Sequence, residues 1–535
     1  MAAFDWSLPY PSQREPVTAG SVVATSVPIA ASAGLEMLRR GGTAADAAVA
    51  TAACMTVVEP TTNGLGSDAF ALMWDGTRVH GFNGSGRSPA ALDAGAFAGK
   101  SRMPRIGWEP VTVPGAVRLW VDLWKAHGKL AFAELMEPAI EYARNGYLVA
   151  PQTAQLWSRA AGAYAKRSDW KDTFLFDGRA PSAGQRVTLP DHAKTLDAIA
   201  ASEGQAFYDG EIAHAIEAAS TAEGGWMRAE DLRTHAGLEA DPISIDYRGS
   251  TLHEIPPNGQ GLAALVALGI LRHFDLPALD PDCPDVLHLQ IEAVKLGFAD
   301  AHMHVADPDH LLQTPAQLLD ADRLKQQAGL IDPNRAQDFS AGTPKPGGTI
   351  LLCAADNEGR CVSFIQSNYT GFGSGVVIPG YGIAMQNRGA CFHLKPGHPN
   401  HVGPSKRPYH TIIPALATPT DSAAPPESGL MAFGVMGGFM QPQGHVQVLS
   451  RVRDFQQNPQ AALDAPRFQW SSGRNVMLEP GFDASVYEEL ADRGHRLKRA
   501  QDRSVSFGRG QAIHALADGW CGASDLRADG QAVGR

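Results

Sequence analysis

Thr349 follows a glycine pair, Gly347-Gly348, and opens an apolar run from Ile350 to Ala355. The eighteen residues that end at Gly348, IDPNRAQDFSAGTPKPGG, hold several turn formers and no helical or strand period, so they read as an exposed linker. A linker that ends in glycine, directly before a threonine at the start of a buried strand, makes chemical sense if the Gly348–Thr349 bond is cut. The threonine hydroxyl can attack the preceding carbonyl, and water can hydrolyse the resulting ester. Glycine suits the leaving side because it tolerates the strained backbone such an attack needs. Cleavage would leave a nucleophile and a base on one residue. A free α-amino group titrates at about 7.7–8.0, close to working pH, and can take the hydroxyl proton directly or through a water. Threonine activated by its own N-terminal amine is a known form of nucleophile. A threonine after two glycines is weak evidence alone, so its surroundings must decide.

Other residues could do different chemistry. His302, His304 and His310, and separately His393, His398, His401 and His410, form two histidine-rich stretches. Neither has the ligand spacing of a zinc motif, so no metal is expected. Gly371, Gly373 and Gly375 resemble a nucleotide loop only superficially, because no Lys-Ser/Thr follows and no βαβ pattern surrounds them. They read as a loop over a pocket, and no cofactor is expected. The six cysteines include no CxxC pair and read as buried reduced thiols.

The elements that must position Thr349 are legible in outline. Ala31 to Arg40 has helical spacing and stops at Gly41-Gly42. Thr43 is a plausible cap for Ala44 to Val57, a helix apolar on every side and therefore buried. A polar, glycine-rich loop follows at Thr61 to Gly66, then a strand at Ala69 to Trp74. From about Leu130 to Leu330 the pattern is helices broken by short strands such as Ile243 to Tyr247 and Thr251 to Ile255. After Thr349 it turns to strands. Ile350 to Ala355 and Cys361 to Ser367, joined by Asp356-Asn357-Glu358-Gly359, make a hairpin. Strands at Ile412 to Leu416 and Leu430 to Val435, then a helix after Pro442, complete the reading.

Composition bounds the function classes. The 535 residues carry a net charge of −11 with no basic block, which argues against nucleic acid. No apolar stretch reaches membrane-spanning length, and the first residues have neither a basic head nor an apolar run. The expected location is the cytoplasm.

With the motifs in order along the chain, the sequence resembles the gamma-glutamyltransferase (gamma-glutamyltranspeptidase, glutathione hydrolase) family of N-terminal-nucleophile hydrolases. The blocks that carry the likeness are AGLEMLRRGGTAADAAVA, VVEPTTNGLGSDAF, TVPGAV, the hairpin from Thr349 to Asp356, FGSG, KRPYHTIIP, MGG, APRF and GASDLRADG. The resemblance implies an α/β (α+β) fold, a four-layer αββα sandwich with two antiparallel sheets between helix layers. It would be built jointly by a large subunit, residues 1–348, and a small subunit, residues 349–535, cut from one precursor. The expected partners are these two subunits, a small amide substrate and, in some assemblies, a second heterodimer. Residue by residue, the resemblance implies Thr349 as nucleophile and Ser367 as a hydroxyl supporting its amine. It implies Gly437 and Gly438 as the pair whose backbone N–H groups form the oxyanion hole; a plain turn is the alternative reading of these two.

The sequence departs from the family where the substrate is held. The block that elsewhere carries an Arg for the donor's carboxylate reads FNGSGRSP, with Ser85 at the Arg position and Arg87 two residues on. Positions that elsewhere hold an α-amino group carry Tyr369, Arg388 and Cys391, and a paired serine becomes His410-Thr411. A guanidinium offers a two-pronged donor to a carboxylate and repels an ammonium. Arg388 as a structural ion pair, and His410 as a satisfied structural histidine, are the competing readings. The variant set IQSNY, QNRG, KRPYHT and MGGFMQPQG is more similar to the oxamate amidohydrolase branch. Three functions stay open: an amidohydrolase for small carboxylate-bearing amides, a true gamma-glutamyltransferase or glutathione hydrolase, and an unprocessed binding protein without enzymatic activity.

Overall fold

The computed structural model describes residues 13–339 and 347–535. Its centre is a pair of seven-stranded sheets in which every pairing is antiparallel. The first runs Val17–Ala19, Gly519–Ser524, Arg509–Leu516, Met431–Met436, Ala415–Pro419, Ser250–Glu254, Ile243–Tyr247. The second runs Gln531–Gly534, Val22–Thr25, Gly348–Ala355, Cys361–Tyr369, Asp68–Trp74, Val79–Asn83, Leu238–Ala240. Each sheet mixes strands from before and after residue 349.

Alternation along the strands explains the layering. In Gly348–Ala355 the residues Ile350, Leu352 and Ala354 join a core with the helices Pro28–Arg39, Ala44–Val58, Ala116–His127 and Phe132–Asn145. Leu351, Cys353 and Ala355 turn the other way, into a core between the sheets that includes Phe70, Leu72, Ile365, Leu416, Ala432 and Ile513. The outer face of the first sheet packs on Gly261–Leu271, Pro284–His304, Met440–Arg453 and Ala484–Asp492. Successive strand residues face opposite sides, so a strand buried on both faces reads as a continuous apolar run. The result is the four-layer αββα sandwich.

Several element bounds differ from the sequence reading. The helix Ala44–Val58 is capped as expected: Thr43 accepts from the Asp46 amide at 3.2 Å, and Asp46 accepts from the Thr43 amide at 2.8 Å. The strand expected at Ile412 begins only at Ala415, because Pro414 has no N–H and the Ile413 amide donates to Gln441 Oε1 at 2.9 Å. The last large helix starts at Met440, with Pro442 in its first turn, where no amide donor is needed. The expected hairpin is longer at its open end, reaching Gly348 and Tyr369. The segment before Thr349 is less exposed than its composition suggests. Ile331 and Ala336 are buried, and the Ala336 amide donates to the Arg493 carbonyl at 2.7 Å; residues 340–346 lie outside the described residues. All six cysteines are free, with Cys283 and Cys391 half-buried and the others buried. Among the described residues no helix is long and apolar enough to cross a membrane.

Candidate active site

Thr349 lies at a break in the strand register. Gly348 pairs with Tyr369 and Ile350 with Gln366, so Ser367 and Asn368 together oppose Thr349 in a β-bulge. The bulge aims the Ser367 side chain at the bond in question. Ser367 Oγ donates to the Gly348 carbonyl at 2.5 Å, accepts from Thr349 Oγ1 at 3.3 Å and accepts from the Tyr369 amide at 2.7 Å. The Thr349 hydroxyl, the Ser367 hydroxyl and the Gly348 carbonyl thus form one hydrogen-bonded chain.

A buried ion pair fixes the far side of Thr349. Glu59 ends the apolar helix Ala44–Val58, and its carboxylate accepts from Ser26, Thr62 and Arg509 at 2.5, 2.8 and 2.7 Å. Arg509 turns its other nitrogen to the Thr349 carbonyl at 2.9 Å. Gln441 Nε2 reaches Thr349 Oγ1 at 3.5 Å.

Gly437 and Gly438 occupy the turn between the strand Met431–Met436 and the helix Met440–Arg453, at φ 137° and 63°. Both values favour glycine. Gln260 Nε2 ties this turn down by donating to Gly438 O at 2.9 Å and Thr411 O at 2.6 Å. A Cβ on Gly347 would lie 3.2 Å from Gly438 Cα and 2.9 Å from the Tyr369 carbonyl, which places the glycine turn against the segment leading into the cleavable bond.

Next to Tyr369 lies a cluster of buried polar side chains around Arg388. The Arg388 side chain has no exposure, and its guanidinium stands 4.7 Å from the centre of the Tyr369 ring. Nη1 donates to Thr411 Oγ1 at 2.6 Å, while Nε and Nη2 have no hydrogen-bond partner. His410 Nε2 lies 3.1 Å from Asp68 Oδ2, both side chains fully buried. Burial pushes the Asp68 carboxyl up to about 7 against the opposing pull of Arg388, and burial then Arg388 push His410 well below its usual value. Tyr369 itself has φ 74°, a strained value for a bulky residue and one that clusters at functional sites. Of the sequence-predicted site residues, Gly348, Thr349, Ser367, Gly437, Gly438, Tyr369, Arg388, His410 and Thr411 are brought together.

Arg87 is not part of that group. Its guanidinium pairs with Asp307 at 3.2 Å and Asp309 at 3.3 Å and donates to the Ser405 carbonyl at 2.8 Å, with 38% of the side chain exposed. Both of its terminal nitrogens are engaged with Asp307, Asp309 and the Ser405 carbonyl. The glycine loop after Tyr369 is held by Tyr164, whose hydroxyl meets the carbonyls of Thr370 and Gly373 at 3.0 Å each. Among the described residues one histidine-rich group has ligand-like spacing, His288, Glu292 and His495, and it lies in neither stretch singled out from sequence. Its atoms already bond one another. His288 joins His495 and the Asp332 carbonyl at 2.8 Å each, and Lys295 sits 2.5 Å from Glu292. The group reads as a clamp on residues 332–337.

Comparison with known proteins identifies the family. The family model described as gamma-glutamyltranspeptidase matches residues 30–535. The chain belongs to the gamma-glutamyltranspeptidase family. It is 34% identical to the glutathione hydrolase-like YwrD proenzyme of Bacillus subtilis, over 95% of this chain and 97% of that one. It is also 34% identical to the oxamate amidohydrolase proenzyme of Klebsiella pneumoniae, with the same coverage. The solved structure of a cephalosporin acylase from Bacillus halodurans superposes with a TM-score of 0.94 at 46% identity, over 100% of this chain and 99% of that one. The protein is therefore an N-terminal-nucleophile hydrolase of the gamma-glutamyltranspeptidase family, whose relatives are made as proenzymes.

Within this family site, sequence reasoning missed Glu59, Asp68, Gln260, Gln441 and Arg509. One signal was present. Glu59 is the lone acid at the end of an otherwise apolar, buried helix, and a buried carboxylate needs a partner. Nothing in the local sequence pointed to Arg509, 450 residues away.

Proposed function

We propose that the chain cuts its own Gly348–Thr349 bond and that Thr349 then hydrolyses small amides whose acyl part carries a free carboxylate held by Arg388. In the first stage Thr349 Oγ1 attacks the Gly348 carbonyl carbon. The carbonyl electrons move onto oxygen, where the Ser367 hydroxyl already donates. The C–N bond then breaks, the hydroxyl proton ends on the Thr349 nitrogen, and water hydrolyses the ester. In the second stage the free amine takes the Oγ1 proton as that oxygen attacks the substrate amide. The oxyanion faces the Gly437 and Gly438 backbone amides; such donors are worth about 3–4 kcal/mol each in comparable sites. The amine returns its proton to the leaving nitrogen, and water releases the acid by the same steps in reverse.

One observation carries the substrate reading: Arg388 keeps two guanidinium donors, Nε and Nη2, buried and unpartnered. A buried donor left unmade costs about 1–3 kcal/mol, more when charged, and a carboxylate satisfies two at once. The likeness to an oxamate amidohydrolase and to a cephalosporin acylase supports an amide substrate. A panel of oxamate, glutaryl amides, glutathione and a gamma-glutamyl anilide tests the reading. Carboxylate-bearing amides should be turned over at least tenfold better, in kcat/KM, than gamma-glutamyl compounds. Efficient gamma-glutamyl turnover, unaffected by Arg388→Ala, would replace this reading with glutathione hydrolase.

A further inference from the structure

The Arg388 pocket contains a second ionisable unit that the acyl-transfer steps leave unused. Asp68 lies on the strand Asp68–Trp74 directly opposite Ser367, so the two side chains share the face that opens on Thr349. Its Oδ1 accepts from the Gly86 amide at 3.2 Å and its Oδ2 faces His410 Nε2 at 3.1 Å. The Ile412 amide points at His410 Nδ1 from 3.4 Å. His410 is therefore neutral, with its hydrogen on Nε2 and directed at Asp68. Arg388 supplies the positive charge of the pocket, and its unpartnered donors show where a negative one would enter.

We propose that Asp68, with His410 hydrogen-bonded to it, is the specificity-determining partner of Arg388, and that a substrate carboxylate binds Arg388 together with one proton, which Asp68 takes up from solvent. The inference rests on the substrate reading above and adds what balances the charge. With Asp68 ionised, Arg388 and Asp68 neutralise each other. A substrate carboxylate would then leave a net negative charge in a pocket closed to water, where charge repulsion is weakly screened. Protonation of Asp68 removes it.

Among the described side chains facing the pair none offers a competing site for that proton; the Thr349 amine freed by cleavage titrates in the same range, at about 7.7–8.0, and Asp68→Asn separates its uptake from that of Asp68. Arg407 pulls Asp68 down, but its charge and that of Arg87 are offset by Asp307 and Asp309, and its Nε is held by the Ser85 carbonyl at 2.9 Å. The Tyr208 phenol is pushed above its usual range by burial and donates to the Pro114 carbonyl at 2.9 Å. His235, stacked on Tyr208, is driven to about 3 by burial and by Arg407. The Phe70 ring, 4.6 Å from His410, is apolar. Asp68, held at about 7, is the group poised to change state near neutrality. The Arg388 charge disfavours an α-ammonium by direct repulsion.

The test is calorimetry on the processed enzyme with oxalate and with glutarate, product-like carboxylates without a scissile amide. Each is titrated in buffers of different ionisation enthalpy at pH 6 and pH 8.5. The proposal expects uptake approaching one proton per site at pH 8.5, where Asp68 is ionised, and almost none at pH 6, where it is already protonated. It also expects the ratio of kcat/KM for a carboxylate-bearing amide over a neutral amide to fall about tenfold per pH unit above 7. Asp68→Asn should flatten that ratio, a change that loss of a merely structural contact would not produce. If Asp68→Asn does not fold, Asp68→Glu takes its place: an uptake profile that does not move along the pH axis assigns the proton to the Thr349 amine and overturns the role of Asp68. Binding of either probe that requires Arg388 but takes up no proton at pH 8.5 overturns the role of Asp68 and leaves the carboxylate reading standing. Failure of both probes to bind, with efficient turnover of glutathione, overturns that reading and this proposal with it.

Discussion

Arg509 links Glu59 to Thr349: one guanidinium nitrogen meets the Glu59 carboxylate at 2.7 Å and another meets the Thr349 carbonyl at 2.9 Å. The pair joins the end of the buried helix to the residue at the cleavage point. Glu59→Gln keeps the shape and removes the charge, leaving a buried guanidinium half-satisfied. Breaking a buried pair costs about 3–5 kcal/mol. Denaturant unfolding should show a loss of that order, with slowed processing, whereas a loss below about 1 kcal/mol would mean that solvent relieves the charge.

Cleavage at Gly348–Thr349 divides 56.8 kDa in the ratio 348 to 187 residues, giving bands of about 37 and about 20 kDa. Thr349→Ala should remain one band and lack activity. N-terminal sequencing of the smaller band must begin at Thr349; any other start refutes the mechanism.

Ser367→Ala removes the donor to the Gly348 carbonyl and the acceptor for Thr349. Processing and turnover should slow by roughly 10–1000-fold while the melting temperature changes little. An unchanged processing rate would show that Ser367 is a bystander.

Arg388→Ala should cost about 2–4 kcal/mol in kcat/KM for carboxylate-bearing amides, through a lost charge-assisted pair. Arg388→Lys should recover little, because an ammonium cannot supply two parallel donors. Neutral amides serve as the control. Equal losses for neutral and charged substrates would assign Arg388 to structure instead.

Asp525, which accepts from the Gly510 amide at 2.8 Å, is paired with Arg467 at 2.7 Å and Arg527 at 3.0 Å, and these partners hold it at about 2 although burial alone would raise it. Its unfolded value is about 3.9. A carboxyl depressed on folding stabilises above the unfolded value and loses that contribution as pH falls toward the folded one. Stability should therefore drop between about pH 4 and pH 2, and Asp525→Asn should flatten that part of the curve. A mutant with the parent's acid profile would exclude Asp525 as the source.

The sequence alone determined what is local or periodic. Gly348-Thr349 at the head of an apolar run marked a candidate nucleophile, Thr43 marked a helix start, and Ile350 to Ser367 announced the hairpin. Ordered blocks announced the family and, through it, the sandwich. Only the tertiary structure decided which charges meet. Arg87 and Arg388 are equally plausible carboxylate holders on paper. Chain folding gives the first Asp307 and Asp309 as partners and leaves the second buried with two free donors. Asp68 and His410 are 342 positions apart, as Glu59 and Arg509 are 450. Whether a buried charge is paired, and so whether it is structural or functional, depends on contacts across the sheets that local sequence does not encode.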